Sequence, residues 1–385
     1  MKILLVNHTA RVSGAEHALL DLLAAFTDEV DARLLCPEGD LARRARATGV
    51  CVDTFMGTEA GLRLHPWHTG VALIRALGSV LGILRSSRAH GAQLVHANSL
   101  RAALLAVVAR TLGGPPVLAH VHDRLPPSRL NRFITRTLQR HCAALVAISR
   151  YTSEPFEAPP PAAPVYVAYN PLDLERFDPT RLSRDDARRA LGLTSRPVLG
   201  LVAQITPWKG QDHAVRLLGE LRKKHPAIRL LLVGEPKFTA ATTRFDNPAY
   251  LRELHDLVRA LGLGEAVTFL GERGDVPRIM RALDVLLVPS WEEPFGRAMI
   301  EAMAMETPVV ATARGGPSEV IADGVTGRLV PPRELDQWVR AVDDLLVDEA
   351  ARQLMGSRTR RVVAARFGRA DFADQITGSY RKALM

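Results

Sequence analysis

Asp284-Val285-Leu286-Leu287-Val288-Pro289-Ser290, and after it Glu293-Pro294-Phe295-Gly296-Arg297-Ala298-Met299-Ile300-Glu301, is the stretch on which the fold turns. The apolar run reads as a buried parallel strand ending at Pro289. Gly296 then turns the chain into a helical pattern from Ala298 to Met305, closed before Thr307-Pro308. Glu293 is thereby expected in the turn at the carboxyl end of a strand, with Glu301 about two turns into the helix. A strand-to-helix turn presents free backbone N–H groups and the positive end of a helix dipole, a seat for an anion or a polar ligand. Two carboxylates beside it only accept hydrogen bonds, and sugar or ribose hydroxyls are matching donors.

Outward from that stretch, both halves of the chain alternate strands and helices, which predicts an α/β protein with parallel sheets. At 385 residues the chain exceeds one ordinary core, so two domains are expected. In the first half Lys2–Asn7, Ala92–His96, Val117–Val121 and Leu145–Ser149 read as strands. Ser13 is a candidate N-cap for a helix from about Ala15 to Phe26, and Gly14 lets backbone approach a ligand. Asn98-Ser99 caps an apolar helix from Leu100 to Leu112, which Gly113-Gly114-Pro115-Pro116 stops. The strand at 117–121 ends in His122-Asp123, and ligands gather at the carboxyl ends of such strands. Ser153 to Pro164 has no periodic pattern and is expected to be a loop. The alternation restarts with strands at Val198–Gln204, Leu230–Gly234 and Val267–Gly271, followed by helices from Glu334 to Val347 and from Phe367 to Leu384.

Composition narrows the classes. Hydrophobic content of 47% with 24% charge is that of a soluble globular protein,. Cys36, Cys51 and Cys142 are scattered without a Cys-x-x-Cys pair, which suits a reducing cytoplasm,. The apolar core of Lys2–Asn7 is too short for a signal peptide, and no run is long enough to span a bilayer. No Gly-x-Gly-x-x-Gly follows a strand, no Asp-x-Asp occurs, and no His/Cys cluster has zinc spacing, so neither a dinucleotide cofactor nor a metal is expected,. The formal charge of +9 concentrates between Arg101 and Arg150, where eight arginines face one acid, Asp123. Arg132, Arg136 and Arg140, with Arg129 before them, recur at helical spacing on one face. That face is either merely solvated or suits an anionic lipid headgroup or a phosphate-bearing acceptor. Few aromatics accompany it, which argues against nucleic acid.

The spacing from Glu293 to Glu301, with Pro308-Val309-Val310-Ala311-Thr312 and Gly315-Gly316-Pro317-Ser318-Glu319 after it, resembles the Glu-x7-Glu signature of the family 4 retaining glycosyltransferases. Pro207-Trp208-Lys209-Gly210 resembles that family's phosphate-binding Lys-Gly. Thr9 to Glu16 resembles its Gly-Gly-x-Glu loop, with Ser13 in place of the first glycine. His120-Val121-His122-Asp123 resembles its strand that delivers an active-site histidine, and Asn170-Pro171-Leu172-Asp173 its interdomain crossing, with Pro171 where glycine is usual. Gln204 stands where the family has an arginine, so one phosphate-facing charge is missing unless Arg297 or Arg273 replaces it.

The resemblance implies the GT-B arrangement, two facing Rossmann-like domains with a carboxy-terminal helix crossing back onto the first. An acceptor-side domain over 1–172 (with 367–385) and a nucleotide-sugar domain over 173–366 are expected, the boundary falling between about 172 and 195. Glu301 would hold ribose hydroxyls; Glu293 and the Phe295-Gly296 amides would hold the sugar. Lys209 and Gly14 would meet the diphosphate, Arg273 the base, and His122 the transferred sugar, with the two domains closing to assemble the site. A UDP-sugar is the prior donor, and the acceptor is expected in cell-envelope or polysaccharide assembly, at the inner face of a membrane. Three alternatives stay open on sequence: an epimerase of the same fold, a basic polyanion-binding protein, and a non-catalytic homologue.

Overall fold

Short apolar runs bounded by turn residues bury both faces of two parallel sheets, seen in a computed structural model that describes residues 1–55, 66–157, 162–193, 197–237 and 244–385, with backbone alone at 66–72,. The chain divides into two units, Met1–Pro171 with Arg369–Met385, and Leu172–Gly368. The upper end of the expected boundary, at 195, and residues 158–161 of the expected Pro/Ala loop lie outside the described residues.

The first unit holds seven strands: β1 (Lys2–Val6), β2 (Asp31–Cys36), β3 (Cys51–Thr54), β4 (Leu94–Ala97), β5 (Val117–Val121), β6 (Ala144–Ala147) and β7 (Val165–Val167). Their order is β3-β2-β1-β4-β5-β6-β7, every neighbour parallel. Its helices are α1 (Gly14–Ala25), α2 (Asp40–Ala47), α3 (Pro66–His90), α4 (Leu100–Thr111), α5 (Arg129–His141) and α6 (Arg150–Ser153). One sheet face packs on Leu19, Leu22, Leu41 and Ile376, the other on Val80, Ile83, Ala103, Ala106 and Leu138. The expected loop from Ser153 is corrected at its start. Ser149 and Thr152 form a reciprocal cap that nucleates α6, a 3₁₀ turn continues it over Glu154–Phe156, and Phe156 is buried,.

The second unit holds β8 (Val198–Val202), β9 (Arg229–Val233), β10 (Val267–Gly271), β11 (Val285–Val288), β12 (Val309–Thr312) and β13 (Arg328–Val330), ordered β10-β9-β8-β11-β12-β13. Its helices are α7 (Arg184–Ala190), α8 (Gln211–Leu221), α9 (Asn247–Ala260), α10 (Val276–Ala282), α11 (Arg297–Ala304), α12 (Pro317–Val320), α13 (Leu335–Val347) and α14 (Glu349–Arg366). Trp338 of α13 is fully buried, and its indole N–H donates to the Pro331 carbonyl at 2.9 Å, so the largest core side chain leaves no polar atom unpaired,. The last helix, α15 (Arg369–Leu384), belongs to the first unit. Arg369 donates to Asp21 of α1 at 2.9 Å, and Phe372, Ile376 and Tyr380 enter the core beside α1.

Candidate functional site

In both sheets the strand order reverses once, between β1 and β4 and between β8 and β11. At such a reversal the connections leave on opposite sides and open a crevice at the carboxyl ends, where ligands bind in open α/β sheets. Most of the residues singled out by sequence fall at these two places; Arg273 follows the edge strand β10, and Arg129, Arg132, Arg136 and Arg140 lie on α5.

In the second unit, the chain leaving β8 makes a 3₁₀ turn over Pro207–Lys209 and reaches α8 through Gly210. Gly210 has φ 73°, and a Cβ there would sit 2.3 Å from the Pro289 carbonyl oxygen, so only glycine lets this loop approach the end of β11,. The backbone N–H of Trp291 donates to Trp208 O at 2.9 Å and ties the two loops together. Across that tie Lys209 Nζ donates to Glu293 Oε2 at 2.7 Å, and Ser290 Oγ donates to the same oxygen at 2.7 Å. Both charged groups are largely withdrawn from solvent, Lys209 at 17% and Glu293 at 6% side-chain exposure. The Lys209 ammonium also lies 4.0 Å from the Trp208 ring centre, a cation–π contact,.

Glu293 is held from its other side by backbone. Its N–H donates to Arg314 O at 3.1 Å, and its carbonyl accepts from Gly316 N–H at 2.8 Å. Gly316 is needed here because a Cβ would stand 2.5 Å from Phe295 Cα. Phe295 is buried, edge-on to Phe367 with ring centres 5.8 Å apart. Gly296, at φ 96°, caps α11, which starts at Arg297 and not at Ala298. Glu301 is the fifth residue of α11, just past one helical turn in and not two, and its carboxylate sits 3.9 Å from Arg297 Nε,. The structure thus joins Lys209 to Glu293 and Arg297 to Glu301. Arg273, beyond β10, is instead held by Asp275 through two 2.8 Å hydrogen bonds, and this pairing draws the Asp275 carboxyl below its usual range,. Gln204 follows β8, where its carbonyl accepts from Gln211 Nε2 at 2.9 Å.

In the first unit, a buried polar chain crosses the β1/β4 reversal. His122 Nε2 is 3.1 Å from Asn98 Oδ1 at the end of β4, and Asn98 Nδ2 donates to Asn7 Oδ1 at the end of β1 at 3.0 Å. Asn7 Nδ2 donates to Glu16 Oε1 at 3.2 Å, while Ser13 N–H donates to Glu16 Oε2 at 3.0 Å. Glu16 so closes the loop ahead of α1 and fixes Gly14 at the helix start. Ser99 alone caps α4, accepting from Ala102 N–H at 3.1 Å, and its hydroxyl contacts His8 Nδ1 at 2.9 Å. The expected double cap is corrected, since the Asn98 side chain serves His122 and Asn7. His120 faces a second chain: its Nδ1 is 3.1 Å from His96 Nε2, whose Nδ1 is 2.5 Å from the Tyr380 hydroxyl of α15. Its ring centre lies 4.2 Å from that of His122, the two planes tilted by 35°. Arg129, Arg132, Arg136 and Arg140 share the exposed side of α5. Ser290, Asn7 and His8 were not singled out by sequence, and Asn98 only as a cap; their one signal was position within two residues of a strand's end.

Burial makes these histidines acid-sensitive. Desolvation, aided by the His122 charge, pushes His96 from 6.5 down to about 3; desolvation and Arg101 push His8 to about 4; desolvation lowers His120 well below its usual value,. Below pH 6.5 the unfolded chain binds protons these rings refuse, so stability falls as pH falls, down to about 4 for His8 and about 3 for His96,. At pH 5 each of the two removes about 2 kcal/mol relative to pH 7. Paired carboxylates such as Asp343, lowered by Lys224 and His225, lose their contribution only below about pH 4,. Denaturant titrations at pH 7.5 and 5 check this. A stability unchanged between them would mean that the rings are protonated without unfolding.

Among the described residues, no group of three or more His, Cys, Asp or Glu is arranged to hold a metal ion. Residues 183–362 match the glycosyl transferases group 1 family, and residues 12–176 match Glycosyltransferase Family 4. The D-inositol 3-phosphate glycosyltransferase of Mycobacterium marinum is 34% identical over 296 residues, covering 76% of this chain and 59% of that protein. The protein of the same name from Stackebrandtia nassauensis is 40% identical over 205 residues, covering 51% of this chain and 44% of that one. The chain thus spans less than two thirds of the length of these curated relatives. The crystal structure of HepE from Anabaena in complex with UDP has a TM-score of 0.82 to this chain at 26% identity, covering 99% of this chain and 100% of that one. The same protein in complex with UDP-glucose gives a TM-score of 0.84 at 25% identity, with 99% of each covered. The two family matches fall one on each unit and between them take in nearly all of both sheets, and the chain is similar over nearly its whole length to glycosyltransferases of the GT-B fold.

Proposed function

We propose that the protein moves a sugar from a UDP-sugar to an acceptor hydroxyl, with retention of configuration and without a metal. The observation that carries this reading is the Lys209–Glu293–Ser290 cluster at the β8/β11 reversal, beside the amino terminus of α11. A diphosphate leaving group needs positive charge as its bond to the sugar breaks, and a fixed ammonium with a helix N-terminus supplies it. In this reading Lys209 and the Gly14 backbone meet the diphosphate. Gln204 donates a neutral hydrogen bond in place of the missing charge. Arg297, at the first position of α11, is the better replacement cation, since Arg273 is committed to Asp275. Glu301 accepts from ribose hydroxyls, Glu293 from the sugar together with the Phe295-Gly296 amides, and His122 bonds the transferred sugar. The departing phosphate takes the acceptor proton. That HepE is seen with UDP and UDP-glucose supports the uridine donor. The relatives named for D-inositol 3-phosphate favour an acceptor that carries phosphate.

Thermal shift against UDP, GDP, ADP and dTDP tests the donor side. A ligand that binds only the native state stabilises by about 2.7 kcal/mol at a hundred times its Kd. UDP is expected to raise Tm for the wild type, without added metal, and to lose that effect in Glu301→Ala. No response to any diphosphate sinks the reading. Turnover of UDP-sugar with no acceptor present would instead mark an epimerase.

A further inference from the structure

The helices α3, α4 and α5 cover one face of the first sheet, and α4 packs against both of the others. Their inner sides supply Val80, Ile83, Ala103, Ala106 and Leu138 to the core. Their outer sides depart from the polar surface that such a layer normally shows. On α3, Leu73, Ile74, Leu77 and Leu81 recur at helical spacing and are exposed, Ile74 at 72%. On α4 Val108 is exposed, with Leu112 at its carboxyl cap, and on α5 Leu130 and Phe133, the latter at 66%. Eight of the large apolar side chains exposed among the described residues thus lie on three neighbouring helices or at their ends. Scattered singly they would need no explanation, but gathered on one layer they mark an interaction surface.

The charge of this segment decides what covers it. Residues 66–141 contain ten arginines, no lysine and one acid, Asp123. Their net charge of +9 equals that of the whole chain, so the remaining residues balance to zero. Among the described residues Arg129, Arg132, Arg136 and Arg140 make no ion pair, whereas Arg43, Arg44, Arg46, Arg189 and Arg259, equally on the surface, each pair with an acid. Apolar side chains flanked by unpaired arginines, with acids withheld, match a headgroup layer over acyl chains. A soluble phosphate ligand would account for the arginines but not for Leu73, Ile74 and Phe133. A second copy of the chain would bring +9 against +9.

We propose that the outer face of α3–α5 docks on an anionic bilayer surface, with Leu73, Ile74, Leu77 and Phe133 entering the headgroup boundary and the arginines of α5 meeting lipid phosphates. The docking does not depend on the donor assignment, and it is measured with no nucleotide present, so failure of one leaves the other standing. Co-sedimentation with phosphatidylcholine vesicles, with and without phosphatidylglycerol, tests it. Binding is expected only with phosphatidylglycerol and is expected to weaken with salt. Arg132→Glu/Arg136→Glu/Arg140→Glu should lower the partition coefficient by about two orders of magnitude or more. Ile74→Asp/Phe133→Asp should weaken binding with the arginines intact, and all five sites are exposed, so circular dichroism should be unchanged. The proposal is overturned if the wild type does not sediment with anionic vesicles, or if both variants sediment like the wild type. It is overturned equally if the wild type elutes as a dimer that Ile74→Asp/Phe133→Asp dissolves, or if it prefers duplex DNA to the vesicles.

Discussion

Lys209→Met lowers the rate of sugar transfer by roughly 10²–10³-fold, the loss typical when one preorganised charge at a reacting centre is removed. The size follows from the surroundings of the ammonium. It is mostly shielded from water, held at 2.7 Å by Glu293 and backed by the Trp208 ring, so its position is set before a donor arrives. With Gln204 where a second cation would be expected, little else in the β8 loop compensates. The fall belongs in kcat more than in KM, because charge builds on the diphosphate only as the bond breaks. Glu293→Gln supplies the contrast. It leaves the Ser290 contact possible and removes the charge that pairs Lys209, so donor binding changes while the cation stays. If Lys209→Met transfers within about threefold of the wild type, the field at the phosphate comes from elsewhere, and Arg297 becomes the residue to remove.

This site was legible in sequence because its parts are local. A strand, a Pro-Phe-Gly turn and a helix follow one another within twenty residues, and the Lys-Gly loop has the same grammar after β8. The polar chain of the first unit was less legible. His122 and Asn98 lie 24 residues apart, Asn98 and Asn7 91 apart, and His96 and Tyr380 284 apart. Such contacts are products of strand order, which no periodicity reports. Five strands were also passed over, β2, β3, β7, β12 and β13, and two of them show why. β2 opens on Asp31-Ala32-Arg33 and β3 is Cys51-Val52-Asp53-Thr54, both nearer the sheet edge, where half-exposed polar positions dilute the apolar run,. α14 escaped for a related reason: its five arginines outnumber its four buried residues, and it is held as a helix by packing against α11 and α13,.

Asp284→Ala is expected to cost about 3–5 kcal/mol of stability in the second unit, the range for breaking a buried ion pair from one side. Asp284 opens β11 and is buried. Its Oδ1 accepts from Arg184 at 2.6 Å, and its Oδ2 accepts from Arg188 at 2.5 Å and from the Val198 backbone N–H at 2.7 Å. Arg352 of α14 stands 3.5 Å away. One carboxylate therefore gathers α7, α14 and the start of β8, and its loss strands two guanidinium groups that are each only 13% exposed. Burial already draws the third, Arg184, below the usual arginine value, with Asp284 the main force opposing that,. Asp284→Asn keeps the shape and one acceptor oxygen and should lose less. The double change Asp284→Leu/Arg188→Leu should recover part of the loss, since it removes a stranded charge along with its partner. The site lies at the other end of β11, so the molecules of Asp284→Ala that remain folded should transfer sugar at the wild-type rate. Lys209→Met should show the reverse weighting, little turnover with a smaller loss of Tm, since the Glu293 carboxylate it strands keeps the Ser290 hydroxyl as a partner,. A loss below about 1 kcal/mol for Asp284→Ala would mean that water reaches the cluster and screens it like a surface pair.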